Sequence, residues 1–333
     1  MSRLQPLRVA TATLVAVAAA WLPFGVPAHA QQPRAAAPAP EPVTSGLRQA
    51  TLDEADERDP AFAPRGEGIA VASNRSGTWE IWYYPIRTGG IRQLTTNTPG
   101  IHDVAPDWHT TGQFLVFQST RVGNTSNIWR LALNERGLTQ LTTTRFGAER
   151  PRYSPDGRQI AYSSYDRGGA RGVWVMDAEG RNQMLLGEGF DPSWSPDGQR
   201  IAFAKVVRQG TDPSSDIWVM DADGRNAQRL TAERLKSESA PRFSPDGRRI
   251  AYVVTYVAGR DSTRQTLPVG SVQSELWIMD ADGTNQRVLA TFSGDAPAWH
   301  PDGQLVAVSA NRAGSLDIWM LQPATGATTT LQP

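Results

Sequence analysis

The chain has 333 residues, enough for a sizeable core, and its 33 Lys and Arg balance 33 Asp and Glu. That balance leaves no basic excess to argue for nucleic acid. The absence of cysteine excludes disulfides, thiolate metal ligands, a Cys nucleophile and a lipid-modified N-terminal Cys. At the start, Arg3 and Arg8 flank an apolar stretch at Val9–Leu22, and Ala28-His29-Ala30 makes a small-x-small cleavage site before Gln31. Residues 1–30 therefore read as a secretory signal peptide. An uncleaved anchor is the alternative, but fourteen apolar residues before Pro23 fall short of the roughly 20 that span a bilayer. Without Arg3 and Arg8 there remain 31 Lys and Arg against 33 acids, a charge of −2 that predicts no broad attraction to anionic surfaces. Residues 31–58 follow as a linker, Ala/Pro-rich and extended over Gln31–Pro42, then polar over Thr44–Arg58, with Gly46–Leu52 a candidate N-terminal strand. Nothing after residue 30 is apolar enough to cross a membrane.

From Asp59 onward the chain repeats itself. "PRYSPDGRQIAYS" from Pro151 returns as "PSWSPDGQRIAFA" from Pro192, "PRFSPDGRRIAYV" from Pro241 and "PAWHPDGQLVAVS" from Pro297. Weaker copies start at Pro60 and Pro106, so six prolines each stand two residues before an aromatic: Phe62, Trp108, Tyr153, Trp194, Phe243 and Trp299. An apolar residue and a tryptophan follow in each copy, at Trp82, Trp129, Trp174, Trp218, Trp277 and Trp319. These tryptophans recur about every 47 residues, near the period of a four-stranded propeller blade.

Each unit is expected to contain four strands. The first carries Pro-x-aromatic and ends in a Pro-Asp-Gly turn, where Pro sets φ and Gly supplies positive φ. The second is Ile-Ala-aromatic, and the third, Ile-Trp-Val-Met-Asp, is apolar throughout and needs cover on both faces. An Asp-x-Asp-Gly turn leads to a polar outer strand, as at Leu94-Thr95, Leu141-Thr142 and Leu230-Thr231. The expectation is an all-β fold: a six-bladed β-propeller of four-stranded antiparallel blades over residues 59–333, each blade covering the next. The strand-three tryptophans are assigned the gaps between blades. A β-sandwich fits the strict four-strand period less well. For ring closure, either Ala327–Leu331 supplies the last outer strand or Gly46–Leu52 adds one at a rim.

The phrases "WSPDGQRIAFA" at Trp194–Ala204 and "DIWVMDADGRNAQRLT" at Asp216–Thr231 resemble the TolB-type repeats, a WD-like β-propeller family, over about Asp59–Leu331. The resemblance implies a periplasmic propeller that follows a smaller α/β domain and docks an outer-membrane lipoprotein. Here only about 28 residues separate Gln31 from the first repeat, so that extra domain is not expected. Similar repeats occur in propellers fused to peptidases, in polysaccharide lyases and in exported proteins with no assigned role.

Candidate chemistry is sparse. Asp221-x-Asp223-Gly224 and Asp280-x-Asp282-Gly283 look like the first half of a calcium loop, but the twelfth positions are Ala232 and Thr291 where a Glu is needed. They read as hairpin turns, and no metal or cofactor is expected. There is no Gly-x-Ser-x-Gly elbow. His109 and His300 replace the Ser of the Ser-Pro-Asp-Gly turn, and His102 lies in a connection. Asp59, Asp103, Glu149, Asp191, Glu238 and Asp295 stand one to three residues before the repeat prolines and are expected around one channel mouth. There they would bind a partner or pair with Arg75, Arg121, Arg167 and Arg312. From the second strand to the Trp, separations are 13, 14, 14, 17, 27 and 13, so the fourth and fifth units carry long loops, with Tyr256, Arg260 and Arg264 as candidate contacts. The preferred reading is an exported or periplasmic monomer, a non-catalytic scaffold for a protein or peptide partner in the cell envelope. The alternative is a propeller enzyme of carbohydrate or peptide chemistry, or an accessory subunit of one.

Overall fold

The computed structural model describes residues 48–51, 54–86, 90–123, 125–135, 137–166, 168–209, 212–232, 236–257, 272–292, 294–311 and 315–323. Its tight Gly turns join chain neighbours into antiparallel meanders, so local sequence dictates most of the pairing. After a short β1 (Arg48–Gln49), the first sheet is β2 (Glu57–Phe62), β3 (Gly68–Ser73), β4 (Glu80–Pro85) and β5 (Arg92–Gln93). The second is β6 (Asp103–Trp108), β7 (Phe114–Ser119), β8 (Asn127–Ala132) and β9 (Gly137–Gln140). The third is β10 (Ala148–Tyr153), β11 (Gln159–Tyr165), β12 (Arg171–Asp177) and β13 (Met184–Glu188). Then come β14 (Phe190–Trp194), β15 (Arg200–Gln209), β16 (Asp212–Asp221), β17 (Gln228–Arg229), β18 (Ser237–Phe243), β19 (Arg249–Val257), β20 (Val272–Asp280) and β21 (Arg287–Phe292). The last group is β22 (Gly294–Trp299), β23 (Val306–Asn311) and β24 (Leu316–Leu321).

The sheets depart from the expected six separate four-stranded units. Four sheets have four strands each, and β14 to β21 form one sheet of eight. The reason lies in strand length. β15 and β16 run ten residues each where β7 and β8 run six, and the extended arm of β16 reaches the start of β18. A single parallel bridge, Ser215 with Ser237, joins them there, and the Ser215 hydroxyl donates to the Glu238 carbonyl at 2.7 Å.

The last sheet takes its fourth strand from the other end of the described chain. β1 pairs antiparallel with β24, Arg48 opposite Met320 and Gln49 opposite Trp319. The segment Arg48-Gln49-Ala50-Thr51 repeats the outer-strand phrase Arg92-Gln93-Leu94-Thr95 almost letter for letter. Ala327–Leu331, the other candidate for this strand, lies outside the described residues.

First strands follow one another in a ring: β2 packs on β6, β6 on β10, β10 on β14, β14 on β18, β18 on β22, and β22 on β2. Apolar clusters fill the seams. Ile81, Val104, Leu115 and Phe117 bind the first sheet to the second, while Ile69 and Val71 meet Ala307, Ile318 and Met320 across the closing seam. The tryptophans of the third strands sit at these seams, Trp319 buried at 6% exposure and Trp129, Trp174, Trp218, Trp277 and Trp82 half-buried against the clusters. On the face of the turns that follow the first strands the closing seam is tight: a Cβ on Gly66 would stand 2.3 Å from His300 Nε2 of the last sheet. Among the described residues no helix is long and apolar enough to cross a membrane.

Candidate functional site

Every first strand breaks its ladder at the repeat proline, because Pro has no N–H to donate. The residue before each proline adopts positive φ: Asp59 (53°), Ala105 (52°), Arg150 (51°), Asp191 (54°), Ala240 (49°) and Ala296 (49°). Left-handed backbone is unfavourable for alanine and arginine, so surrounding contacts must enforce it. Those contacts come from the preceding sheet or, for Ala240, from β14 of the same eight-stranded sheet. The freed N–H of Ala105 donates to Asp59 Oδ2 at 3.2 Å, that of Ala240 to Asp191 Oδ2 at 3.3 Å, that of Asp191 to Ser163 Oγ at 2.9 Å, and that of Asp59 to Ser309 Oγ at 3.1 Å. The bulge thus turns a strand hydrogen bond into a stitch around the ring.

At this level two aspartates share one arginine. Arg150 Nη1 lies 3.4 Å from Asp59 Oδ1 and its Nε lies 3.2 Å from Asp191 Oδ1, so an arginine of the third sheet links the first sheet to β14. All three side chains are mostly buried, at 16%, 6% and 4% exposure. Two residues further along β6, β10 and β18, just after the proline, lies a second charged layer. Arg152 Nη1 donates to the Pro106 carbonyl at 3.2 Å and stands 3.8 Å from Asp107 Oδ1, while Asp107 Oδ2 accepts the Tyr153 N–H at 2.8 Å. Arg242 Nη1 donates to the Pro241 carbonyl at 2.7 Å, and its Nη2 has no hydrogen-bond partner among the described residues. Burial, then the like charge of Arg152, pulls the Arg242 pKa down to about 9. Burial likewise raises the Asp107 carboxyl above its ordinary value, against the charges of Arg152 and Arg242. Arg150, Arg152 and Arg242 thus lie among Asp59, Asp107 and Asp191, and Arg58 Nε also stands 3.7 Å from Asp59 Oδ2, so these carboxylates face arginine partners.

The six acids singled out from sequence fall on three different strand positions. Asp59 and Asp191 belong to the central layer. Asp103 is fully buried and pairs with Arg121, which also stacks over Trp129 at 5.1 Å. Glu149 pairs with Arg171 at 2.7 Å. Glu238 accepts the Thr231 hydroxyl. Asp295 sits in β22 opposite Ser309, and its side chain lies outside the description. Arg75 takes Glu57 at 2.9 Å rather than Asp59. Tyr256 is buried, its hydroxyl donating to Glu275 Oε2 at 3.0 Å. Arg260, Arg264, Arg167 and Arg312 lie outside the described residues. The histidines stay apart, His109 and His300 on the turns of the second and last sheets and His102 before β6. The Asp-x-Asp-Gly carboxylates serve their own turns: Asp221 Oδ2 accepts from Asn226 at 2.6 Å and Asp223 Oδ1 from the Arg225 N–H at 3.0 Å. Among the described residues no group of three or more metal-ligating side chains converges. Sequence reasoning missed Arg150, Arg152, Arg242 and Asp107. Their signal was a charged residue directly beside the repeat proline in "ERPRY", "PRF" and "PDW".

The architecture and its repeat phrases define a β-propeller of the WD-like kind. The model of the TolB beta propeller domain matches residues 44–205 and 149–266, and the chain belongs to that family. The Tol-Pal system protein TolB of Anaeromyxobacter dehalogenans is 37% identical over 132 residues, 39% of this chain and 28% of that protein. The curated relatives are matched over only 16–35% of their own length. Among solved structures, the putative TolB from Agrobacterium tumefaciens superposes with a TM-score of 0.63 at 18% identity, covering 81% of this chain and 91% of that one. An oligogalacturonate lyase in complex with manganese does so at 0.57 and 13% identity, over 85% and 95%. At these identities the structural likeness is one of fold.

Proposed function

We propose that the chain is an exported, non-catalytic scaffold that binds a protein or peptide partner in the cell envelope, on the face where the β15–β16 and β19–β20 hairpins rise. In this reading the eight-stranded sheet counts as two blades of a six-bladed ring, a count supported by the six first strands that contact one another in a circle. The carrying observation is hairpin length. Strands of ten residues in β15 and β16, and of nine in β19 and β20, stand against six or seven in the corresponding strands of the other sheets. Long projections on a rigid scaffold are where recognition concentrates. Val206 offers an apolar foothold there, 49% exposed on the β15 arm beside Lys205. The signal-like N-terminus supports export, and the relative's Tol-Pal designation supports an envelope setting. Asp59 and Asp191, both bridged by Arg150, then act as the ring's central tie beneath the partner. A photo-crosslinking residue at Val206 should yield a discrete adduct in the envelope fraction, and the same residue at Met184, 53% exposed on the outer strand β13, should not. Equal labelling from both positions, or none from Val206, would overturn the reading.

A further inference from the structure

A cavity of about 400 Å³ opens between the second and third sheets, on the face of the Pro-Asp-Gly turns. Its size falls within the range of roughly 300–1,000 Å³ typical of small-molecule pockets. Three aromatic rings, His109, Phe114 and Tyr153, and three charged side chains, Arg130, Arg158 and Glu179, line it. The His109 ring stands edge-on to Tyr153 at 4.9 Å and to Phe114 at 5.7 Å, and the Arg130 guanidinium lies 5.2 Å over Phe114. Gly157 makes the seam possible, because at φ 72° it lacks a Cβ that would stand 2.3 Å from His109 Nε2.

Tyr153 is the exception among the first-strand aromatics. Trp108, Trp194 and Trp299 each donate their indole N–H to a backbone carbonyl of the preceding sheet, at 3.0, 3.2 and 3.1 Å. Phe62 and Phe243 have no polar atom to satisfy. Tyr153 is 7% exposed, and its hydroxyl has no hydrogen-bond partner among the described residues. A buried hydroxyl left without a partner is unfavourable, which marks this atom as one that awaits a partner. Burial raises the Tyr153 pKa, so the phenol stays protonated at neutral pH and offers a donor. Arg130 is already engaged, donating to the Ala178 carbonyl at 2.9 Å and standing 3.7 Å from Glu179. Arg158 is not so held: it is 86% exposed, and its nearest carboxylate, Asp156, is 3.9 Å away. The cavity therefore presents a donor, one loosely held cation, the rings of Phe114 and His109, and one carboxylate, Glu179, whose charge Arg130 offsets at 3.7 Å.

We propose that this cavity binds a small monocarboxylate with a flat apolar body, its carboxylate taken by Tyr153 Oη–H and Arg158 and its body by Phe114 and His109. Benzoate is the probe, with benzyl alcohol as the neutral counterpart, titrated calorimetrically into the full chain. Benzoate should bind at millimolar concentration. Tyr153→Phe and Arg158→Gln should each weaken it about tenfold, the scale of one hydrogen bond to a charged group, and benzyl alcohol should bind no better than those variants bind benzoate. Ligand-free Tyr153→Phe should melt no lower than wild type, since it removes a hydroxyl with nothing to satisfy it. No benzoate binding, equal binding in both variants, or equal binding of benzyl alcohol would overturn the proposal. So would a fall of several degrees in the melting temperature of ligand-free Tyr153→Phe, which would give the hydroxyl a structural partner instead.

Discussion

The second sheet and the last sheet use one closing device with opposite connectivity. In the second, the outer strand arrives by a tight turn: the Leu141 N–H donates to the Ile128 carbonyl at 2.8 Å, the Ile128 N–H to Thr142 Oγ1 at 2.8 Å, and the Thr142 hydroxyl to Asn127 Oδ1 at 2.9 Å. In the last, Ala50 donates to the Ile318 carbonyl at 2.5 Å, Ile318 to Thr51 Oγ1 at 3.0 Å, and Thr51 to Asp317 Oδ1 at 3.0 Å, across 266 residues. The sheet chemistry is indifferent to where the strand comes from. What changes is the consequence of losing it. An outer strand lost from the second sheet frays one edge, whereas β1 lost from β24 also removes one of the ties between the first and last sheets, leaving the packing of β2 on β22 and the apolar seam. Loop-closure entropy rises only logarithmically with length, so a contact across 266 residues costs about 2.5 kcal/mol more to close than one across 15.

Truncating the seam tryptophans should break this comparison most visibly. Trp319 is 6% exposed and donates its indole N–H to the Ala310 carbonyl at 3.1 Å. Trp129 is half-buried, with an indole N–H that has no hydrogen-bond partner among the described residues. Trp319→Ala should destabilise by about 3–5 kcal/mol and Trp129→Ala by about half of that, read from urea midpoints at constant slope. Equal losses would show that the closing sheet is packed no more tightly than an internal one.

The Thr clamp sharpens the same contrast at smaller scale. Thr51→Val leaves the buried Ile318 N–H without its acceptor and the fully buried Asp317 with one donor fewer, for a loss of about 2–3 kcal/mol. Thr142→Val leaves only neutral groups short, Ile128 N–H and the Asn127 amide, for about 1 kcal/mol. Thermal melts of the two variants side by side give the difference. A larger loss at Thr142 would show that the local strand, not the closing one, limits stability.

Much of this fold was legible in the chain, for identifiable reasons. The Pro-x-aromatic, Ser-Pro-Asp-Gly and Ile-Trp-Val-Met-Asp phrases carry local turn chemistry and strand period, so strands, turns and pairing order followed from them. The separations of 17 and 27 residues flagged the long arms of β15–β16 and β19–β20, but a one-residue parallel bridge between Ser215 and Ser237 has no sequence signature. Arg48–Thr51 did carry the outer-strand phrase, but it sat in a polar stretch 267 residues from its partner. Positive φ at Ala105, Ala240 and Ala296 opposes local preference, and for Ala105 and Ala240 the acceptor is an aspartate of a neighbouring first strand. The Asp59–Arg150–Asp191 tie was hidden for the same reason, since its three members meet only once the ring exists.

The smallest difference between the two sheets' kin concerns their Pro-Asp-Gly turns. In the third sheet the Ser154 hydroxyl donates to Asp156 Oδ1 at 2.6 Å and the Arg158 N–H to the same atom at 3.0 Å, and these bonds, Ser154 first, lower the Asp156 pKa. In the last sheet His300 takes the serine's place and Asp302 accepts the Gln304 N–H at 2.8 Å; its pKa is also lowered, with burial the largest influence and opposing that shift. A carboxyl whose folded pKa lies below its unfolded value contributes stability above the ordinary carboxylate range and loses it as pH falls through the folded pKa. Asp156→Asn should therefore melt slightly below wild type at neutral pH, and the two curves should converge as the pH drops below that range. Because 59% of the Asp156 side chain is exposed, solvent screens most of the coupling and the offset stays small. Asp302→Asn should show the same convergence, since its carboxyl is also held below the ordinary value. An offset that persists unchanged into acid would mean that the turns depend on the carboxylate's shape rather than its charge.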